Sequence, residues 1–354
     1  MKKQNWCIKS LELLLVAWSM QMAQVKEVIL VTGGAGYIGS HVAYQLVQRG
    51  CRVIILDMFV HNQPFNHSWA TVVRGDCGDR ATLDTVFEKY HIDAVMHFAA
   101  FAYVGESVQD PAKYYVNNVT NTITLLNAMR AHGVKKIIFS STCAVYGIPL
   151  QLPLVETHQR CPVNPYGNTK LSIELLLNDF AVAYGMQFVA FRYFNAAGGD
   201  AQNGLWEWHV PETHIIPLAL RAAMNGKSFT VFGNDYATSD GTCIRDYLHV
   251  HDIAQAHVLA LDYLKKGGAS DFFNLGTGRG YSVKEILDMV ETVCGKKIKR
   301  ITGNRRAGDP AILVADATKA RNILGWRPAF SDLQPLITAA YEAERARRAC
   351  GNDF

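Results

Sequence analysis

The feature that most constrains this chain is a glycine loop set between a strand and a helix. Val28-Ile29-Leu30-Val31-Thr32 is a short β-branched apolar run, the pattern of a buried parallel strand. Gly33-Gly34-Ala35-Gly36-Tyr37-Ile38-Gly39 follows it. Ile38, Val42, Leu46 and Val47 then recur at helical spacing, with Gly50 as a stop signal. The glycines fall as Gly-x-x-Gly-x-x-Gly at 33, 36 and 39, not as Gly-x-Gly-x-x-Gly. The mechanics are the same: glycine lets the backbone turn tightly and approach a pyrophosphate at the helix N-terminus. The next strand, Arg52-Val53-Ile54-Ile55-Leu56, ends at Asp57, 18 residues after Gly39. A carboxylate there accepts from the adenosine ribose hydroxyls and repels a 2′-phosphate, so the pattern predicts NAD and not NADP. A glycine turn followed by a surface Asp is the plain alternative, and strand, loop, helix, strand and acid in that order argue against it.

The rest of the chain alternates strands and helices. Thr71-Val72-Val73 leads to Gly75-Asp76, Ala94 to Phe98 leads to Ala99-Ala100, Lys136 to Phe139 leads to Ser140-Ser141-Thr142, and Phe188 to Arg192 leads to Tyr193-Phe194-Asn195. Small or polar residues thus sit at the C-terminal strand ends, where an open α/β sheet binds its ligands. The prediction is a doubly wound parallel Rossmann sheet over 28–195, with 196–347 mainly a smaller, interleaved substrate lobe. From Ala196 the pattern loosens around Trp206, Trp208, Pro211 and Pro217. Ser282-Val283-Lys284-Glu285 reads as a capping box opening a late helix, and Asn274-Leu275-Gly276 as a return to the first sheet. Residues 1–27 read as a dispensable, poorly ordered extension, with Met20 or Met22 as an alternative start. Its apolar run from Leu11 to Trp18 is interrupted by Glu12 and is too short to span a bilayer.

Composition narrows the class. The chain has 354 residues, 49% hydrophobic and 19% charged, as in ordinary globular proteins. A net charge of +4 without a basic block gives no support to nucleic-acid binding. The eight cysteines include no Cys-x-x-Cys and read as reduced thiols of a cytoplasmic enzyme. His249 and His251 fall on one face of a strand-like segment without partners at ligand spacing, so no metal site is expected.

Tyr166-Gly167-Asn168-Thr169-Lys170 holds the candidate chemistry. At i, i+4 on a helix the two side chains share a face. A free Tyr has a pKa of about 10, and a neighbouring ammonium favours its phenolate. The pair is a candidate proton-transfer unit. By itself the spacing is common; the glycine loop near the other end of the same domain gives it weight.

With these segments in place the chain resembles the extended short-chain dehydrogenase/reductases, and among them the UDP-glucose (UDP-galactose) 4-epimerases, from about Val28 to Arg347. The resemblance is carried by Thr32 to His41, His97-Phe98-Ala99-Ala100, Val104-Gly105-Glu106-Ser107, Phe139 to Thr142, Tyr166 with Lys170, Arg192 to Asn195, Gly241 to Tyr247 and Arg305 to Asp309. It implies a 4-epimerase of galactose metabolism that keeps NAD bound and passes through a 4-keto sugar. It implies Tyr166 as the base, Lys170 on the nicotinamide ribose and depressing the Tyr pKa, and Thr142 as proton relay. Cofactor contacts are implied at Gly33, Gly36, Tyr37, Ile38, Gly39, Asp57, Asp76, Phe98, Ala99, Asn117, Ser140 and Tyr193. On the substrate side it implies Asn195, His214, Ile215, Asp309 and Leu313. Phe232 would stack on uracil, and Arg245 and Arg306 would clamp the pyrophosphate. A homodimer is also implied, with a UDP-sugar as the partner and no membrane contact.

Three positions depart from the family pattern. Ala102 replaces a Lys near the cofactor, His214 replaces an Asn on the substrate side, and Leu313 stands where others carry Tyr or Cys beside the sugar 2-substituent. Leu313 makes UDP-N-acetylhexosamine epimerases one alternative, and the run from Ala99 to Ser107, which also resembles epimerases of UDP-pentoses, makes those the other. A sugar-nucleotide 4,6-dehydratase would need an Asp-Glu pair after the Thr, where this chain has Cys143-Ala144. A non-catalytic NAD sensor would have no use for Thr142, Tyr166 and Lys170 together.

Overall fold

Every residue of the first strand is buried, as a strand covered on both faces requires. The structure is a computed structural model describing residues 27–60, 67–306 and 308–351. It alternates β1 (Val28–Thr32), α1 (Tyr37–Gln48), β2 (Arg52–Asp57), β3 (Thr71–Arg74), α2 (Arg80–Tyr90), β4 (Ala94–His97), α3 (Val104–Gln109), α4 (Pro111–Tyr114), α5 (Asn121–Ala131), β5 (Lys136–Ser140), α6 (Pro165–Tyr184) and β6 (Gln187–Tyr193). A π-helical stretch, Tyr115–Thr120, links α4 to α5. There follow β7 (Asn195–Ala197), α7 (Ile215–Asn225), β8 (Ser228–Phe232), β9 (Ile244–His249), α8 (Val250–Lys265), β10 (Asp271–Leu275), β11 (Gly280–Ser282), α9 (Val283–Cys294), β12 (Lys299–Gly303), β13 (Ile312–Leu313), α10 (Thr318–Ile323) and α11 (Leu333–Ala349).

Seven strands form one parallel sheet in the order β10-β6-β5-β4-β1-β2-β3. The order reverses at β1, which pairs with β2 on one edge and β4 on the other, so a crevice opens at the C-terminal end of β1. One face carries α1 and α8, packed through Val42, Leu46, Ile253, Leu261 and Trp326. The other carries α2, α5 and α6, packed through Leu83, Phe87, Leu125, Met129, Ile173 and Leu177. β10 joins β6 through Asn274 and Leu275, the predicted return to the sheet. The smaller region has β11-β9-β13 with β7 on β9, and a β12-β8 pair. Its own core gathers α7, α9 and α11 around Leu220, Ile286 and Ile337.

Local signals behave as their chemistry dictates. Asn164 caps α6 by accepting from Gly167 N at 2.8 Å, and Pro165 occupies the first turn. Ser282 and Glu285 form the predicted capping box at α9. Two expectations need correction. Glu27, assigned to the extension, belongs to the fold: its carbonyl accepts from Arg52 N at 2.8 Å and its carboxylate meets Lys265 Nζ at 2.9 Å. The rest of the extension lies outside the described residues. His249 and His251 do not share a strand. The strand ends at His249, whose Nδ1 caps α8 by accepting from His251 N at 3.0 Å, because a ring nitrogen can satisfy an orphan helix N–H.

Beneath the crevice lies a buried ion pair. Glu174 on α6 and Arg192 on β6 meet in two bonds, at 2.9 and 2.7 Å, with 0% and 1% of their surfaces exposed. Ser141 Oγ donates to Glu174 at 2.6 Å, and Arg192 Nη1 donates to Tyr146 Oη at 3.0 Å. The pair thus anchors residues on both sides of Thr142. Removing one partner strands a buried charge, at about 3–5 kcal/mol, whereas replacing both with apolar residues of similar volume costs far less. Glu174→Leu should therefore lose more stability in urea than Glu174→Leu combined with Arg192→Met. A double variant no more stable than the single one would show that charge pairing is not what holds this region.

Candidate functional site

The glycine loop is built by contact. Gly33 has φ +71°, and a Cβ there would lie 2.5 Å from Ala99 N; one on Gly39 would lie 2.2 Å from Gly33 O. The loop therefore packs against the backbone after β4, and α1 starts tight against it. Gly36 caps α1 with no side-chain hydrogen bond, so no side chain of the cap claims the first-turn N–H groups. Asp57 Oδ2 accepts from Ala35 N at 3.0 Å and Oδ1 from Phe59 N at 2.7 Å, each oxygen keeping a lone pair. Burial raises the Asp57 carboxyl above its ordinary range, against the pull of these two N–H groups. This is a cradle that fits a dinucleotide: bare helix N–H groups for phosphate, no Cβ in the way, and a carboxylate at the ribose position.

The neighbouring predicted residues line the same ends of the strands. Asp76 Oδ1 accepts from Gly78 N at 2.8 Å and from Asn121 Nδ2 at 3.1 Å. Phe98 N donates to Thr32 O at 2.9 Å, and Ala99 is the backbone under Gly33. Asn117 Nδ2 donates to Asn118 Oδ1 at 3.0 Å. The side chains of Tyr37 and Ile38 serve the fold: Tyr37 Oη donates to Gly198 O at 2.9 Å and Ile38 packs on the core.

Tyr166 and Lys170 come one turn apart at the start of α6, as their spacing requires. Tyr166 N donates to Ser107 Oγ at 3.2 Å. Burial pushes the Tyr166 phenol up to about 12, and a hydrogen bond with the Thr142 side chain pulls the other way. Lys170 Nζ donates to Ser140 O at 2.8 Å and sits 4.8 Å over the Phe139 ring but 6.0 Å from the centre of the Tyr166 ring. Burial takes its ammonium down to about 7. The lysine is turned toward a carbonyl, and burial opposes charge on both groups. Ser140 Oγ bonds Tyr193 Oη beside them.

The second group of predicted residues gathers around β9 and β13. Arg245 is paired with Asp309, and its guanidinium also donates to Ile244 O and Pro310 O, both at 2.7 Å. Leu313 lies opposite Arg245 in the parallel pairing of β13 with β9. Arg306 lies 4.4 Å over the ring of Phe232, which is 41% exposed. Asn195 Nδ2 donates to Asp246 O at 3.0 Å. The two groups meet at Cys143: Leu313 packs with it in one apolar cluster, and the Arg245 charge acts on its thiol, which burial nevertheless pushes up to about 12.

His214 and Ile215 stand at the start of α7. Ile215 opens α7 and packs on the core of the smaller region. His214 Nδ1 lies 2.8 Å from Glu207 Oε1 and 3.0 Å from Glu212 Oε1. Between these carboxylates its imidazole is held above its ordinary range, and Glu207 is held below its own.

Two residues of consequence escape the sequence reading. Asn118, fully buried, accepts from Phe101 N at 2.9 Å and donates to Phe101 O and Thr169 Oγ1, both at 3.1 Å. It ties the loop after β4 to α6, and only its place beside Asn117 hinted at it. His97, also buried, bridges Thr32 Oγ1 at 2.6 Å and Thr122 Oγ1 at 2.9 Å, and burial lowers its pKa to about 3. It was seen only as part of a motif; a neutral imidazole spanning two hydroxyls has no one-dimensional signature.

Comparison with known proteins places this geometry. The profile of the NAD dependent epimerase/dehydratase family matches residues 29–276. The UDP-glucose 4-epimerase of Halalkalibacterium halodurans is 49% identical over 314 residues, covering 88% of this chain and 94% of the relative. A crystal structure of UDP-glucose 4-epimerase from Brucella ovis in complex with NAD is similar at 48% identity and a TM-score of 0.85, over 89% of this chain and 97% of that one. The Bifidobacterium longum enzyme in complex with NAD+ and UDP is 37% identical with a TM-score of 0.83, over 92% of this chain and all of its own. A Rossmann sheet, a dinucleotide cradle and a Tyr-Lys-Thr group at the ends of its strands, together with these likenesses, mean that the chain belongs to the NAD dependent epimerase/dehydratase family.

Proposed function

We propose that this chain is a UDP-glucose 4-epimerase that interconverts UDP-galactose and UDP-glucose with NAD retained in the site. The observation that carries this is Tyr166 one helical turn from Lys170, whose Nζ donates to Ser140 O two residues before Thr142, at the strand ends that also bear the glycine cradle. Residues 28–195 serve as the cofactor lobe and 196–347 mainly as the substrate lobe. Gly33, Gly36, Tyr37, Ile38 and Gly39 present backbone to the pyrophosphate, Asp57 takes the adenosine ribose, and Asp76, Phe98, Ala99, Asn117, Ser140 and Tyr193 complete the pocket. Arg245 and Arg306 engage the substrate diphosphate as guanidinium forks. Phe232 stacks on uracil, and Asn195, Asp309 and Leu313 border the rest. Bound NAD supplies the hydride acceptor and donor for C4 and, when oxidised, a positive charge.

The chain's own groups handle the proton. Tyr166 Oη, as the phenolate that the positive charge of oxidised NAD would favour, receives the proton of the sugar 4-hydroxyl as C4 becomes a ketone. Thr142 relays it and holds the 4-oxygen. The sugar then presents its other face, and Tyr166 returns the proton. Lys170, freed from Ser140 O, holds the nicotinamide ribose. We also assign a homodimer, supported by exposed Val108 and Val116 on the stretch packed against α6 and by exposed Leu175 and Val182 on α6 itself. Light scattering should return twice the chain mass; a monomer at micromolar concentration would remove that assignment. The cytoplasmic reading rests on cysteines 51, 77, 143, 161, 243, 294 and 350, all free thiols.

Two experiments probe the site. Purified protein should convert UDP-galactose to UDP-glucose without added NAD and should release NAD(H) on acid treatment. Tyr166→Phe should retain the cofactor but lose roughly 100-fold or more in kcat, the usual worth of acid–base help. Turnover within about threefold of the parent, against that same expectation, would mean that another group is the base.

Lys170 gives a pH signature in NAD-stripped protein. Its folded pKa, about 7, lies below its ordinary value of 10.5. Between the two, the unfolded chain binds a proton that the folded chain does not, so stability rises with pH across this window. The stability difference between the parent and Lys170→Met should shift in favour of the parent by roughly 2 kcal/mol from pH 7 to pH 9. Parallel profiles from urea unfolding would show that Lys170 keeps its ordinary pKa.

A further inference from the structure

The segment between β7 and α7 carries two glutamates and two histidines in Glu207-Trp208-His209-Val210-Pro211-Glu212-Thr213-His214. The fold draws all four side chains to one point: one ligand atom from each lies within 4.8 Å of the others. Both imidazoles aim Nδ1 at the same carboxylate oxygen, Glu207 Oε1, at 3.2 Å from His209 and 2.8 Å from His214. Glu212 Oε1 accepts from Thr213 N at 2.8 Å and His214 N at 2.9 Å. Its Oε2 is buried with no hydrogen-bond partner, 4.0 Å from His209 Nδ1 and 3.8 Å from Arg221 Nη2.

We propose that Glu207, His209, Glu212 and His214 form a binding site for one divalent transition-metal ion of the zinc class. Four donors at bonds of about 2.0–2.2 Å around such an ion stand roughly 3.4 Å apart, the scale of the separations here. The donor set, two imidazole nitrogens and two carboxylate oxygens, suits zinc better than magnesium or calcium, which take oxygen. Two carboxylates neutralise a dication. The Glu207 and Glu212 side chains are 8% and 2% exposed, while His214 is 47% exposed and leaves a way in for the ion. Four protein ligands leave no open position, so the ion is structural and takes no part in the sugar chemistry.

Its position says what it would hold. His209 lies 6.5 Å from the ring of Tyr37 in the glycine loop and 5.9 Å from that of Tyr103 in the loop after β4. His214 is the cap residue of α7. One ion would fasten the 198–214 connection to both loops and set the start of α7.

The competing arrangement is a protonated His214 caged by the two carboxylates, with no ion. Metal analysis separates the two. Untagged protein, purified without chelator, should contain about one equivalent of zinc per chain. Stripping with a chelator should lower Tm by at least about 4 °C, and Zn²⁺ but not Mg²⁺ should restore it. The single variants Glu207→Gln and His209→Gln, checked for folding by circular dichroism, should lose the metal. Cobalt-loaded protein should show visible bands of tetrahedral type, which requires no variant to fold. Less than about a tenth of an equivalent of any transition metal, with Tm unmoved by Zn²⁺, would overturn the site. So would folded variants that keep a full equivalent. None of these readouts depends on the reaction assigned above.

Discussion

The structure depends on a contact that admits no side chain. Where the chain leaves β1, Gly33 stands so close to Ala99 that a Cβ would fall 2.5 Å from its backbone nitrogen. The same crossing brings Gly39 against Gly33 O. These approaches let β1 sit between β2 and β4 while α1 starts at the sheet's edge. The crevice, the bare helix N-terminus and the position of Asp57 all follow. A methyl group at either glycine would push the loop off the β4 strand end and separate the cofactor cradle from the residues after β5.

Burial of charge is the second organising force, and it is handled in two opposite ways. Glu174 and Arg192 are fully paired, and the pair fixes the backbone around Thr142. Tyr166, half-buried, and Lys170, buried, have no counter-charge between them. Burial therefore drives the phenol up and the ammonium down, toward neutral forms of both. A pair placed in this way responds strongly to any charge that comes near it. The paired network supplies rigidity, and the unpaired one supplies chemical responsiveness.

The sequence revealed what is periodic or local. β1, the glycine loop, α1 and Asp57 were readable because strand and helix periods and a special backbone requirement coincide in one short stretch. The Tyr166–Lys170 spacing and the Ser282–Glu285 box were readable for the same reason. What stayed hidden depends on contacts across long separations. Asn118 gains its role from Phe101 and Thr169, and His97 from Thr32 and Thr122. The direction in which Lys170 points is set by a carbonyl on another strand, which spacing along one helix does not reveal. The switch from strand to helix at His249 was missed because a histidine is an uncommon cap.

His214 shows how far a resemblance reaches. The family pattern assigns its position to the substrate, on the strength of an Asn at that place in relatives. Asn and His differ in what they demand of their surroundings. An imidazole whose Nδ1 faces two carboxylates must carry a proton on that nitrogen or share an ion with them, and an amide offers no such choice. In this chain Glu207 and Glu212 are in place to make that demand, and they reach His214 at 2.8 and 3.0 Å. The substitution to His is therefore to be read with the glutamates around it. A departure from a family pattern is best read together with the residues its side chain can reach, because those decide whether the position keeps its role or joins a different one.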